Sequence, residues 1–304
     1  MILLAYWVPG IENIIPLNQI SSYGITGIFF FYGLKLSPEK MKVGLFNWKL
    51  HTLVQLSTFM FFPLLILIFF PFIQNEEQFT LWLGVFFLAV LPSTVSSSVV
   101  MVSIARGNVP GAIFNASISG LIGIIVTPLW MGIFLESRLG SFDLGQTFTE
   151  LTLKILLPVI LGMFMHQYWG ELANRHKKYL TMFDKTVILI IVYKSFSRSF
   201  SSGIFEGMDL WELSIVGFGV IALFFVVYYL ILLISKNLNF NREDEITALF
   251  CGSKKSLVHG TVFSSVLFSG MSSASLFLVP IMIYHAFQLF IVSIKAQKYL
   301  IESE

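Results

Sequence analysis

The chain has 304 residues, of which 56% are hydrophobic and only 12% charged, with a formal net charge of +2. Soluble domains carry about 25% charged residues, and a nucleic-acid surface needs a dense basic run that is absent here. Those figures exclude a soluble globule and a nucleic-acid-binding module, and the single cysteine, Cys251, excludes an intrachain disulfide.

The apolar residues fall into blocks of roughly 20, the length that crosses about 30 Å of hydrocarbon. A transmembrane β-barrel would show short alternating segments instead. The sequence therefore describes an all-α polytopic membrane protein whose first partner is the lipid bilayer. The opening "MILLAYWVPG" has no basic n-region and no small-residue cleavage site, so it does not read as a signal peptide. Its eight or so apolar residues are too few to span, and the chain is expected to start inside its first transmembrane segment (1–9). The following segments are expected at 21–36, 51–73, 79–105, 110–135, 150–169, 183–204, 211–235, 245–271 and 274–298, ten in all. The connections "QNEEQ", "ANRHKKY" and "NREDE" are short and polar, and no linker leads to a soluble domain.

Basic residues sort by side. Lys35, Lys40, Lys42, Lys49, Arg106, Arg175, Lys177, Lys178, Lys185, Lys236, Arg242, Lys295 and Lys298 fall in the even-numbered loops and the C-terminus. The odd-numbered loops hold only Arg138, beside Glu12, Glu76, Glu77, Glu136, Asp143, Glu206, Asp209 and Glu212. Positive charge stays on the cytoplasmic side, so both termini are expected there, in an inner or plasma membrane of bacterial type.

Five basic residues remain within segments: Lys154, Lys194, Arg198, Lys254 and Lys255. A charge at mid-membrane costs a few kcal/mol or more and usually has a partner or a task. Lys154, near the start of its segment, can snorkel to the interface. Lys194 and Arg198 share a helix face at i, i+4 and either line a cavity or reach the outer headgroups. The pair in "CGSKKSLVHG" is different. With a segment starting near Glu245, Lys254 lies roughly 14 Å deep at 1.5 Å per residue.

Both segments marked by polar clusters are expected to be broken. Pro92 removes a backbone donor in "LPSTVSSSVV", where Ser93, Thr94, Ser96, Ser97 and Ser98 supply hydroxyls. Gly252 and Gly260 bracket the lysines in the other. Interrupted helices survive in membranes only inside protein or beside a cavity. The breaks fall in the fourth and ninth of ten segments, so each is the fourth member of a five-helix half. An odd number of crossings per half inverts the second half, the signature of inverted repeats with a binding site between them. In 111–130 the small residues Gly111, Asn115, Ser119 and Gly123 recur every four, a face that lets another helix approach closely.

"ARGNVPGAIFNASISGLIGIIVTP" with the preceding "LPSTVSSSVV" resembles the bile acid:sodium symporter family, in the branch that includes solute carrier family 10 member 7 and its bacterial relatives. "FNWKLHTLVQLSTFMFFPLL" and "CGSKKSL" carry the same resemblance. It implies ten helices in two inverted repeats. It further implies a panel domain of helices 1, 2, 6 and 7 (1–50 and 150–205) and a core domain of helices 3–5 and 8–10 (51–149 and 206–304), with broken helices 4 and 9 crossing in the core. Sodium-coupled members carry a Glu and a Gln in the ninth helix, whereas Cys251–Ser256 has no carboxylate. By position, Ser97, Ser98 and Asn115 are the candidate Na+ ligands, Na+ being the only cofactor implied. A lysine ammonium can also take the electrostatic place of a bound cation, exchange a proton, or hold an anionic substrate.

The candidate substrate- or ion-binding residues are Ser93, Thr94, Ser96, Ser97, Ser98, Asn115, Ser117, Ser119, Ser253, Lys254, Lys255 and Ser256, with Lys194, Arg198 and His259 as candidate cavity residues. His259 and His285 are either proton carriers or structural hydrogen-bonding groups. No phosphate-binding loop, no H-E-x-x-H helix and no paired aspartates in adjacent segments are present, which argues against an ATP-driven pump and an intramembrane enzyme. The function expected is secondary transport of a small organic anion, bile-acid-like or another carboxylate or sulfate, coupled to Na+ or H+. The other open possibility is a regulator of ion homeostasis built on a transporter fold.

Overall fold

The computed structural model describes residues 1–8, 15–36, 44–139, 143–201, 203, 210–269 and 271–302, of which 86% are helical with no strand. Glu12, Lys40, Lys42, Glu206 and Asp209 of the loop charges lie outside the described residues, as does the side chain of Arg138. The helices are α1 (Ile2–Trp7), α2 (Leu17–Lys35), α3 (Trp48–Phe72), α4 (Glu76–Val90), α5 (Ser96–Ile104), α6 (Val109–Leu139), α7 (Gly145–Arg175), α8 (Lys177–Ser201), α9 (Leu210–Asn237), α10 (Arg242–Gly252), α11 (Leu257–Leu267) and α12 (Leu278–Ile301). Among the described residues, five helices are long and apolar enough to cross a membrane: α3, α6, α7, α9 and the Ser273–Ile301 stretch containing α12.

Both interruptions are where the sequence places them: α4 and α5 are separated by 91–95, and α10 and α11 by 253–256. The expected connection "ANRHKKY" is present but short: helix runs to Arg175, breaks at His176 and resumes at Lys177, with an exposed Arg175–Glu171 pair at 2.7 Å along its last polar turn.

The chain divides into two compact units. The first comprises Met1–Ser37, Gly132–Asp209 and Thr261–Leu278. Its centre is the α2–α7 pair, which meets backbone to backbone. A Cβ on Gly33 would run into the Val159 carbonyl, and one on Gly162 into the Phe30 carbonyl. His166 Nδ1 lies 2.8 Å from the Leu34 carbonyl, Lys35 pairs with Asp184 at 3.3 Å, and Tyr193 Oη donates to the Val8 carbonyl at 2.6 Å. Lys154 pairs with Glu150 at 2.7 Å, so it keeps a counter-ion one turn away.

The second unit comprises Pro38–Met131, Leu210–Gly260 and Val279–Glu304. Asn47 and Asn241 cap α3 and α10 by accepting from Leu50 N and Asp244 N. Asp244 accepts from Asn47 Nδ2 at 2.7 Å and Asn108 Nδ2 at 2.8 Å, tying the start of α10 to the starts of α3 and α6. An aromatic cluster of Phe62, Phe224, Tyr228, Tyr284 and Phe287 fills the space between α3, α9 and α12.

Candidate functional site

The site begins with carbonyl oxygens that the backbone cannot satisfy. In α3, Ser57–Phe61 forms a π turn, and Phe62 N bonds Ser57 O five residues back. Thr58 O is thereby left to residue 63, which is proline and has no N–H to give. Phe59 O loses its α-helical donor for the same reason and accepts from Trp130 Nε1 at 3.1 Å. Thr58 O stays open.

The end of α4 frees more. Helix C-termini leave their last carbonyls without partners and carry the negative end of the dipole. Val90 O accepts from Thr127 Oγ1 at 2.8 Å, and Pro92 O accepts from Ser256 N at 2.9 Å. Ser93 N turns away to Ser119 Oγ at 3.0 Å, so it does not continue the helix. A Cβ on Gly123 would lie 2.8 Å from the Pro92 ring, so glycine is what admits the proline against α6.

The second break caps the first and is capped by it. Ser93 Oγ donates to Cys251 O at 2.6 Å, and Ser98 Oγ to Phe250 O at 3.2 Å, closing the end of α10. Tyr284 Oη donates to Ser253 O at 2.7 Å, and Ser253 Oγ back-bonds to Leu249 O at 2.6 Å. Ser256 Oγ caps α11 by accepting from His259 N at 3.3 Å and lies 2.9 Å from His259 Nδ1. Gly260 lets the Leu91 side chain pass, since a Cβ there would come within 2.8 Å of it. The two interruptions therefore cross in direct contact inside the second unit.

Both lysines are fully buried at this crossing, and their surroundings differ. Lys255 Nζ donates to Thr58 O at 2.7 Å, Ala89 O at 2.6 Å and Leu91 O at 2.9 Å, and sits 4.1 Å from the centroid of the Phe62 ring. All three N–H bonds are used, on the carbonyls that the π turn and the α4 terminus left open. Gln288 pins its backbone from both sides, Nε2 donating to Lys255 O at 2.7 Å and Oε1 accepting from Lys255 N at 2.8 Å. Lys254 Nζ has a single long bond, to Ser97 Oγ at 3.3 Å. Ser97 Oγ in turn donates to Thr94 Oγ1 at 2.8 Å, and Thr94 Oγ1 is 2.8 Å from Ser98 Oγ. No carboxylate pairs with either lysine among the described residues.

Of the residues singled out from the sequence, Ser93, Thr94, Ser97, Ser98, Ser119, Ser253, Lys254, Lys255 and Ser256 assemble here, with His259 beside Ser256. Ser96 is exposed, and Ser117 Oγ back-bonds to Ile113 O at 2.7 Å. Asn115 is engaged with α3: its Nδ2 lies 2.9 Å from His51 Nδ1, and its Oδ1 accepts from Gln55 Nε2 at 3.2 Å. It adjoins a groove of about 350 Å³ lined by His51, Thr52, Gln55, Leu56, Phe114 and Ile118. Lys194 is half-buried and Arg198 exposed, both on α8 in the first unit. The sequence did not point to Thr58, Phe62, Tyr284 or Gln288. Gln288 had the signal already used for Asn115, a lone amide in an apolar segment. The accepting carbonyls had none, since every residue carries one.

Apolar helices, five of them long enough to cross a bilayer among the described residues, with two broken segments crossing around buried lysines and hydroxyls, make an integral multi-pass membrane protein. The chain belongs to the SBF-like CPA transporter family, whose model matches residues 1–300. It is 35% identical over 301 residues to an uncharacterised protein of Pseudomonas aeruginosa, covering 98% of this chain and 90% of the other. A candidate symporter of Escherichia coli, YfeH, is 33% identical over 305 residues, covering 100% and 91%. Sodium/bile acid cotransporter 7 of Xenopus tropicalis is 32% identical over 283 residues, covering 92% and 82%.

Proposed function

We propose that the chain is a secondary active transporter of a small organic anion, a carboxylate or sulfate, that works by alternating access with Na+ or H+ as the coupling ion. The observation that carries this is Lys254. Its ammonium is fully buried at the crossing of two broken helices, with one 3.3 Å bond to Ser97 and two N–H groups without an acceptor among the described residues. A buried cation with donors to spare is an anion site: a carboxylate supplies the missing charge and acceptors together. The Thr94–Ser97–Ser98 hydroxyl chain beside it can turn donors toward the same anion.

In this reading ten helices form two inverted five-helix repeats, and a panel (helices 1, 2, 6 and 7) moves against a core that holds the crossing. Both termini face the cytoplasm, as the distribution of Lys and Arg favours. Two relatives named as symporter and sodium/bile acid cotransporter support transport of a small solute. A coupling proton has Lys254 as its carrier; a coupling Na+ has the hydroxyls of Ser97 and Ser98 and the amide of Asn115 as candidate ligands.

The test is uptake into proteoliposomes of a panel of radiolabelled carboxylates and sulfates, steroid conjugates included, under a Na+ gradient, a pH gradient and neither. Accumulation of one class, driven by one gradient and abolished in Lys254→Gln, is the expected result. Folded protein that moves none of the panel, or full activity in Lys254→Gln, would sink the proposal, and binding without flux would favour a regulator.

A further inference from the structure

We propose that the carbonyls of Thr58, Ala89 and Leu91, closed by the ring of Phe62, are a monovalent-cation site that the protein fills permanently with the ammonium of Lys255. The site is a set of acceptors only. Three carbonyl oxygens lie 2.6–2.9 Å from Nζ and an aromatic face 4.1 Å from it, with no donor and no carboxylate among them. Neutral dipoles and a π face suit a single positive charge. A hard divalent ion would need carboxylates to replace its water.

The cage does not owe its existence to Lys255. Thr58 O is open because Pro63 has no N–H, and Ala89 O and Leu91 O are open because α4 ends there. Removing the ammonium therefore leaves the acceptors in place and turned inward. Nor can the tether withdraw easily, because Gln288 holds both the N–H and the C=O of Lys255. The consequence is that this position of the crossing requires no free ion, and any ion that drives transport must act elsewhere. The inference rests on the geometry of the crossing alone and stands whether or not the chain moves an anion.

The substitution that isolates the site is Lys255→Met, which keeps nearly all of the stem and deletes the charged head. Purified full-length protein is melted in ammonium, sodium and choline chloride at matched ionic strength. The expected result is a saturable rise of the Lys255→Met melting temperature in ammonium, by about 3 °C or more, with sodium as the second cation to bind and choline without effect. Wild type should be indifferent to ammonium and choline, and any sodium response it has should be smaller than that of Lys255→Met. Lys255→Ala should respond instead to n-propylammonium, which replaces the deleted atoms, and not to n-propanol. If both variants fold and neither responds differently from wild type, the proposal fails. If neither folds, wild type decides: as denaturant is added in steps, an amine-acylating reagent read by mass spectrometry should reach Lys254, held by one long bond, before Lys255, held by three. Modification of the two at the same step, or of Lys255 first, would overturn it. Cation rescue without anion uptake would retain the cage and discard the transport reading.

Discussion

Replacing Lys255 by methionine and Lys254 by methionine is one chemical change made at adjacent positions, and the structure requires opposite outcomes. At Lys255 the change strands three buried carbonyls that Nζ holds at 2.6–2.9 Å. An orphaned buried polar group costs about 1–3 kcal/mol, so the loss is roughly 3–9 kcal/mol before any refund. Against it stands the cost of burying the charge, several kcal/mol, which the variant no longer bears. The net is about 2–4 kcal/mol of destabilisation. At Lys254 only the 3.3 Å bond to Ser97 disappears, and Ser97 keeps Thr94. The same refund, less that one bond, then leaves Lys254→Met more stable by about 1–4 kcal/mol. At roughly 2–4 °C per kcal/mol, the two variants should melt on the order of 10 °C apart. The single cysteine provides the assay, because Cys251 is fully buried beside the crossing and its thiol becomes available to a fluorogenic maleimide only on unfolding. Lys254→Met melting as low as Lys255→Met, or lower, would refute the assignment of the cage to Lys255.

Other outcomes follow from the same geometry and are read by the same melt unless stated. Gly33→Ala and Gly162→Ala each push a methyl into a backbone carbonyl of the facing helix and should cost about 3 kcal/mol, whereas Gly219→Ala, with nothing within 4 Å of its Cβ, should stabilise by up to about 1 kcal/mol. A Gly33→Ala protein as stable as wild type would mean that α2 and α7 are further apart than described. Ser93→Ala removes the 2.6 Å bond to Cys251 O and should cost about 1–2 kcal/mol while speeding modification of Cys251 by small thiol reagents; an unchanged rate would deny that this hydroxyl holds the breaks together. Asp244→Ala unlatches Asn47 and Asn108 at once and should lose about 2–3 kcal/mol, with Asn108→Ser, which keeps a side-chain cap on α6, adding little in the double variant. Additive losses there would show that the two asparagines do not share the carboxylate.

Local chemistry made the helices legible. Blocks of about 20 apolar residues can only be buried or span a bilayer, and the backbone must then bond to itself, so helix type and approximate bounds follow from composition. Proline and clustered hydroxyls at 92–98, and glycines around 254–255, are equally local, which is why both breaks could be read directly. The small stripe of α6 was legible as a contact face, and Gly123 against Pro92 shows what it admits. The polar stretch 173–179 does hold a connection, at His176, but helix extends further into it from both sides than its polar residues suggest, since i, i+4 ion pairs support polar helical turns.

The sequence by itself determined that this is an all-helical membrane protein with two broken segments and two charges too deep to be incidental. Only the tertiary structure decided that Lys255 is locked and Lys254 is not. Lysines at adjacent positions are indistinguishable in sequence, about 100° apart on any helix, with identical chemistry. Their fates differ through three carbonyl oxygens, from Thr58, Ala89 and Leu91, that lie 164–197 residues away along the chain. A carbonyl is common to every residue, so no residue type announces it. What makes one available is a missing donor, and what makes it useful is the approach of another helix.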